Sequence, residues 1–238
     1  YHRGNAVMLS GSYSKRGLSI LAQAKRSDNM AFRSQRTKQG TSLFINNMPA
    51  FAYQHTYALP ALYPYATQAA GGEWAFQGEV SYLFKRNTAL GGKYGTKVKV
   101  NFSHVRGLDK QPVDQYEGSY YGTDGYTSKF FKMGDKYYQD INVQLEKKLT
   151  KSFKLNLMYM NQYYNQAVIE KHGSSIKSNI AVVEGKYQFN NKLTLRGEYQ
   201  YLATKDDEGD WMYGLLELSV QPHWMFTVSD MWNNGEAN

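Results

Sequence analysis

A chain of 238 residues with 42% hydrophobic and 20% charged positions is long enough for one sizeable domain, and an all-β chain of this length can be a single barrel. It has no cysteine, which excludes a disulfide framework and a thiolate metal site, and its 21 tyrosines against 5 prolines favour a boundary between apolar and wet surroundings. The formal charge of +8 raises nucleic acid as a partner, but the 28 Lys and Arg are scattered along alternating segments rather than clustered; no nucleic acid is expected, and attraction to anionic lipid headgroups or lipopolysaccharide of an outer membrane fits the same charge at least as well.

The first strand pattern runs from Ala6 to Tyr13, with Val7, Leu9, Gly11 and Tyr13 alternating against Ser10 and Ser12. A turn at Lys15 to Gly17 leads into Leu18, Ile20, Ala22 and Ala24, so residues 6–26 read as a hairpin. Residues 27–72 fit no strand. They begin basic (Arg33, Arg36, Lys38) and then carry no Asp, Glu, Lys or Arg from Thr41 to Gly72. Pro49, Pro60 and Pro64, with Asn46, Asn47, Gln54, His55 and Gln68, exclude a spanning helix. The segment is also too rich in Phe51, Tyr53, Tyr57, Tyr63, Tyr65 and other apolar groups for disorder, so it is expected to fold against something, with these aromatics and His55 facing a barrel interior or a partner.

A second hairpin pairs Trp74, Phe76, Gly78, Val80, Tyr82 and Phe84 with Tyr94, Thr96, Val98, Val100 and Phe102. Residues 105–135 read as a second long loop, rich in Gly, Asp and Tyr. The clearest alternation follows: Ile141, Val143 and Leu145, a polar turn, then Phe153, Leu155, Leu157, Tyr159 and Tyr163. Residues 165–174 form a shorter connection. A fourth hairpin joins Ala181 to Phe189 with Leu193 to Tyr201; a fifth, of open phase, pairs Trp211–Val220 with Trp224–Trp232 after the acidic loop Lys205–Asp210. Keeping Tyr187 and Leu193 on one face excludes a two-residue Asn190-Asn191 turn and predicts Glu184 directly opposite Arg196.

These ten strands form an all-β antiparallel pattern with one apolar face, and a hairpin cannot hide such a face by itself. Two regularities favour a transmembrane β-barrel over a soluble sandwich or solenoid. Short turns and long loops alternate, and aromatics gather at strand ends around an aliphatic middle. The other face carries Glu79, Lys97, Lys99, Asp140, Lys154, Glu184, Lys186, Arg196 and Glu198, both signs together, as expected of a wet lumen. With short turns on the periplasmic side, both termini fall on the far side, so residues 1–238 are expected to be a section of a larger barrel.

The segment Ile45–Gln68, followed by Leu90–Ser103, resembles an uncharacterised family of large outer-membrane barrels in Bacteroidota. The resemblance implies residence in the outer membrane of a Gram-negative cell and, for some relatives, association with the type IX secretion apparatus or other envelope proteins. It supplies no catalytic residues.

The residues themselves offer little chemistry. His2, His55, His104, His172 and His223 are dispersed, and none has a helical metal-ligand partner. Asn101, Ser103 and His104 could suggest a barrel hydrolase, but His104 points away from the other two. The Asp206, Asp207, Glu208 and Asp210 loop lacks the ligand order of a calcium hand, and Gly91–Gly95 reads as turn chemistry rather than a phosphate loop. No cofactor is expected. A structural or scaffold barrel is therefore the first expectation, a porin-like channel the second, and a barrel enzyme a distant third.

Overall fold

The computed structural model describes residues 4–35, 37, 43–45, 47–112 and 125–235. His2, Arg36, Lys38, Thr41, Asn46 and residues 113–124 of the second loop lie outside them. Ten strands run in chain order: β1 (Asn5–Lys15), β2 (Leu18–Asp28), β3 (Glu73–Phe84), β4 (Thr96–Pro112), β5 (Tyr126–Lys148), β6 (Phe153–Asn165), β7 (Ser175–Gln188), β8 (Leu193–Thr204), β9 (Trp211–Val220) and β10 (Trp224–Asn233). A short helix, α1 (Gln166–Ile169), sits in the β6–β7 connection. Every strand pairs antiparallel with its sequence neighbours in one sheet of order β1 to β10. Among the described residues β1 and β10 do not pair with each other, so the sheet is open.

Local chemistry makes these elements. Alternating side chains supply each strand, and the turns carry their own signals. Lys15 pairs with Leu18, leaving Arg16 and Gly17 at φ 48° and 93°, both left-handed as a tight hairpin turn of this twist requires. Thr150 Oγ1 accepts from Phe153 N at 2.9 Å, and Asn190 Oδ1 accepts from Lys192 N at 2.8 Å and Leu193 N at 3.0 Å, local bonds that close the turns without a sheet partner.

Two sequence expectations are corrected here. The second long loop is much shorter than residues 105–135, because β4 continues to Pro112 and β5 begins at Tyr126. Three register shifts between Val105 and Lys110 interrupt the pairing and with it the period of two that marks a strand in the sequence. The β7–β8 register also slips by two: Glu184 lies opposite Glu198, and Arg196 lies opposite Lys186. Parity survives, so Glu184 and Arg196 still share a face and bond at 3.1 Å. The alternation of connections holds in outline only, since the β3–β4 turn, residues 85–95, is longer than the β8–β9 loop, residues 205–210.

The register fixes two faces. One carries Val80, Val98, Val100, Ile141, Val143, Leu155, Leu157, Val183 and Leu195. Six of these are exposed and Val98, Leu155 and Leu195 half-exposed; none is buried. We call this the bare face. Aromatic contacts bracket it: Tyr82 with Phe84, Tyr187 with Phe189 and Trp224 with Phe226 at the end holding the short turns, Trp74 with Phe76 and Phe102 with His104 toward the loops. Between these bands the bare face of β2 to β9 carries no Asp, Glu, Lys or Arg. The opposite face is covered in part by the chain itself, while β1 and β10 are exposed along their whole length.

Candidate functional site

The covered face is built in two halves. Toward the loops its wall is apolar: Ala75, Val105, Met158, Met160, Ile176, Ile180, Val182 and Leu202, with Tyr138 and Tyr164, form one buried cluster with Phe51, Ala52, Leu59, Tyr63 and Tyr65 of the uncharged segment. Tyr57 packs against its margin, and Tyr53 and His55 are half-buried with ring centroids 4.7 Å apart. Leu59 is fully buried. The aromatic segment thus lies on the polar-phase face of the sheet, over an apolar patch that the alternation had concealed.

An irregular segment on a sheet must find partners for its own backbone. Side chains of the wall supply them. Gln200 Oε1 accepts from Leu59 N at 2.8 Å, Ser103 Oγ accepts from Tyr53 N at 3.2 Å, and Gln162 Nε2 donates to Tyr63 O at 3.1 Å. The segment's own amide side chains Asn47 and Gln54 are exposed, so the wall's donors and acceptors go to its peptide groups.

Both ends of the segment are held at one point. Lys25 Nζ meets Glu73 Oε1 at 2.7 Å with both side chains fully out of solvent. Lys25 also donates to Pro49 O and to Thr67 Oγ1, while Glu73 accepts from the Tyr65 hydroxyl and, at 2.9 Å, from Gln68 N. Lys25 and Glu73 stand on the strands that flank the segment, β2 and β3, on the covered face. The sequence gives one cue to this pair: both charges fall in the polar phase next to a stretch with no charge of its own. At the far side Tyr63 donates to Asp207 Oδ2 at 2.9 Å, so the acidic loop helps hold the segment. Burial and the Asp207 carboxylate push the Tyr63 hydroxyl above its ordinary pKa, which keeps it a donor. Asp206 caps Lys177 N at 2.9 Å, and Asp210 accepts from Thr204 N at 2.9 Å; among the described residues no three His, Asp or Glu converge as metal ligands.

The turn-side half of the covered face is polar, and its side chains run from fully buried Asn101 and Asn142 to exposed Lys154 and Lys186. A ladder of amides crosses it: Gln77 Nε2 donates to Asn101 at 3.2 Å, Asn101 and Asn142 each donate to Asp140 Oδ1 at 3.0 Å, and Gln144 donates to Asn142 at 3.0 Å. Asp140 is fully buried. Lys99 pairs with Glu79 at 3.4 Å and Lys154 with Glu146 at 2.9 Å. Arg196 reaches Glu184 at 3.1 Å, Glu217 at 3.6 Å and Glu198 as well, and Asn156 donates to Glu184 at 2.6 Å. Lys97 lies opposite Glu146, and Lys186 is exposed between Lys154 and Arg196 on the neighbouring strands. All nine predicted charged residues therefore share one face, but in separate clusters. The sequence reading missed Glu146 and Glu217 as their counter-charges; the same parity places both. Asn101 donates to Ser103 at 3.1 Å whereas His104 meets Gln139 on the bare face, so these three residues assemble no hydrolase site.

A family profile matches the chain from residue 1 to 238, and the chain belongs to that family, DUF6029, a family of unknown function. No curated protein and no solved structure matches it.

Proposed function

We propose that this member of DUF6029 is a section of a β-barrel in the outer membrane of a Gram-negative cell, where it serves as a structural or scaffold subunit of an envelope complex with its interior occupied by its own residues 47–68. One observation carries the reading. A chain folding in water would lay its most aromatic segment on its apolar face; this chain lays it on the other face and leaves the apolar one bare. Lipid supplies the missing cover, with the aromatic bands at the two interfaces. Lipid also tolerates no open sheet edge, so β1 and β10 are closed by further strands in a larger barrel. The resemblance to large Bacteroidota barrels makes the type IX secretion apparatus the first assembly in which to look for it.

A second reading, a porin-like channel, draws on the polar turn-side half, where Lys154 and Lys186 are exposed. Conductance separates the two. The full-length protein is expected in the carbonate-resistant membrane fraction with small single-channel conductance in a planar bilayer. A soluble product would overturn the membrane reading, and a wide, steady conductance would put the channel first.

A further inference from the structure

The cations scattered along the sequence become ordered once the strands are folded. A meander brings alternate connections to the same end of the sheet, and the short turns are where many Lys and Arg lie. The β1–β2 turn carries Lys15 and Arg16, both exposed. The β3–β4 turn carries Lys85, Arg86 and Lys93, all exposed. Lys147, Lys148 and Lys151 stand at the β5–β6 turn, and Lys192 at the β7–β8 turn. Across these four connections and the β9–β10 turn, residues 221–223, which carries no Lys or Arg, there is no Asp or Glu, even with two residues added on either side of each. The first carboxylate inward, Glu146, is already paired with Lys154.

The loop end is different. Asp28 meets Lys110 at 3.1 Å and Arg26 at 3.6 Å, and Asp109 meets Lys132, so charge there is mixed and internally paired. At the turn end no ion pair joins the turn cations among the described residues; Lys93 and Lys148 instead lie 5.8 Å from the centre of the Tyr94 ring.

We propose that this turn end is a docking surface for the phosphate groups of anionic phospholipid in the adjoining leaflet. The inference rests on the membrane reading above. Position selects the partner. Lys85 and Arg86 stand one and two residues beyond Phe84 and Lys192 three beyond Phe189, outside the aromatic contacts of Tyr82 with Phe84 and Tyr187 with Phe189, the depth at which headgroups begin outside an aromatic band. They are also repeated from hairpin to hairpin, at spacings of about 10 Å for two strand widths. A row of that kind suits a plane of repeated anions better than a single compact ligand.

The full-length protein is reconstituted into phosphatidylcholine bilayers containing trace spin-labelled phosphatidylglycerol or phosphatidylcholine, and the motionally restricted fraction of each probe is measured. Wild type restricts the phosphatidylglycerol probe preferentially at low salt, and high salt reduces the preference. Combined Lys85→Gln, Arg86→Gln, Lys147→Gln and Lys148→Gln lowers it by about fivefold or more. Neutralising Lys129, Lys132, Lys171 and Lys205 at the loop end leaves most of it. Equal restriction of both probes by protein seated in the bilayer overturns this proposal alone, and salt-sensitive binding of soluble polyglutamate in that case assigns the cations to an acidic protein. Protein that does not float with the vesicles overturns the membrane reading as well.

Discussion

Lys25 and Glu73 place two opposite charges 2.7 Å apart where neither touches water. Such a pair contributes little against well-packed apolar residues of the same volume, but removing one partner strands the other. Glu73→Gln is therefore expected to cost about 3–5 kcal/mol, read as a shift in the urea midpoint, and adding Lys25→Met should recover part of it. A neutral Glu73→Gln would mean that the clamp holds nothing. His55 makes a different prediction. Both its ring nitrogens are buried with no hydrogen-bond partner among the described residues, and burial pushes its pKa down to about 4. The undocked segment would protonate near 6.5, so between those values the undocked form binds the extra proton. Docking stability is complete above pH 6.5 and falls by about 3 kcal/mol as the pH drops to 4. Hydrogen-exchange protection across residues 50–65, corrected for intrinsic rate, should weaken from pH 7 to pH 5 in wild type and much less in His55→Phe.

At the scale of the strand, the sequence was legible wherever side chains kept a strict period of two. Ile141, Val143, Leu155 and Leu157 could be assigned a face from spacing alone, and the bare face in the structure is that face. Legibility failed where alternation is broken or blind. The register shifts near Arg106 and Leu108 hid the ends of β4 and β5. Parity also cannot separate registers two residues apart, which is why Glu184 came out opposite Arg196 rather than Glu198. The apolar patch beneath the segment was missed for a third reason: Met158, Met160, Ile180 and Val182 share their phase with the polar residues Asn156 and Glu184, so period-two counting reads them as noise. The two faces now make opposite predictions. Val143→Arg, beside Val100 on the bare face, should cost about 2–4 kcal/mol when folded in vesicles, the expected penalty for charge near a bilayer midplane. Gln144→Arg, one residue along on the covered face, should cost much less. Equal effects in urea titrations would remove the distinction between the faces.

For the molecule as a whole, the open question is what the segment does by lying where it lies. Polar walls alone would hold a water-filled passage, but the loop-side half of the covered face has Met160, Ile176, Ile180 and Leu202 packed under Leu59, Tyr63 and Tyr65. Lifting the segment exposes all of that surface, at roughly 1.5–3 kcal/mol for each large side chain uncovered, so a spontaneously swinging gate is disfavoured and a fixed filling favoured. Deleting residues 47–68 should accordingly raise conductance sharply while lowering stability. Because that deletion could abolish folding, a milder variant keeps the prediction decidable: Leu59→Asp with Tyr63→Asp puts charge into the apolar contact and should undock the segment while the strands stay paired. Cysteines at Leu59 and Gln200, joined by a bifunctional thiol reagent that spans the length of the glutamine side chain now reaching Leu59 N at 2.8 Å, should hold the conductance low. If the intact protein already conducts widely, and neither the aspartates nor the cross-link changes the current, the segment does not obstruct the passage and the scaffold reading gives way to the channel.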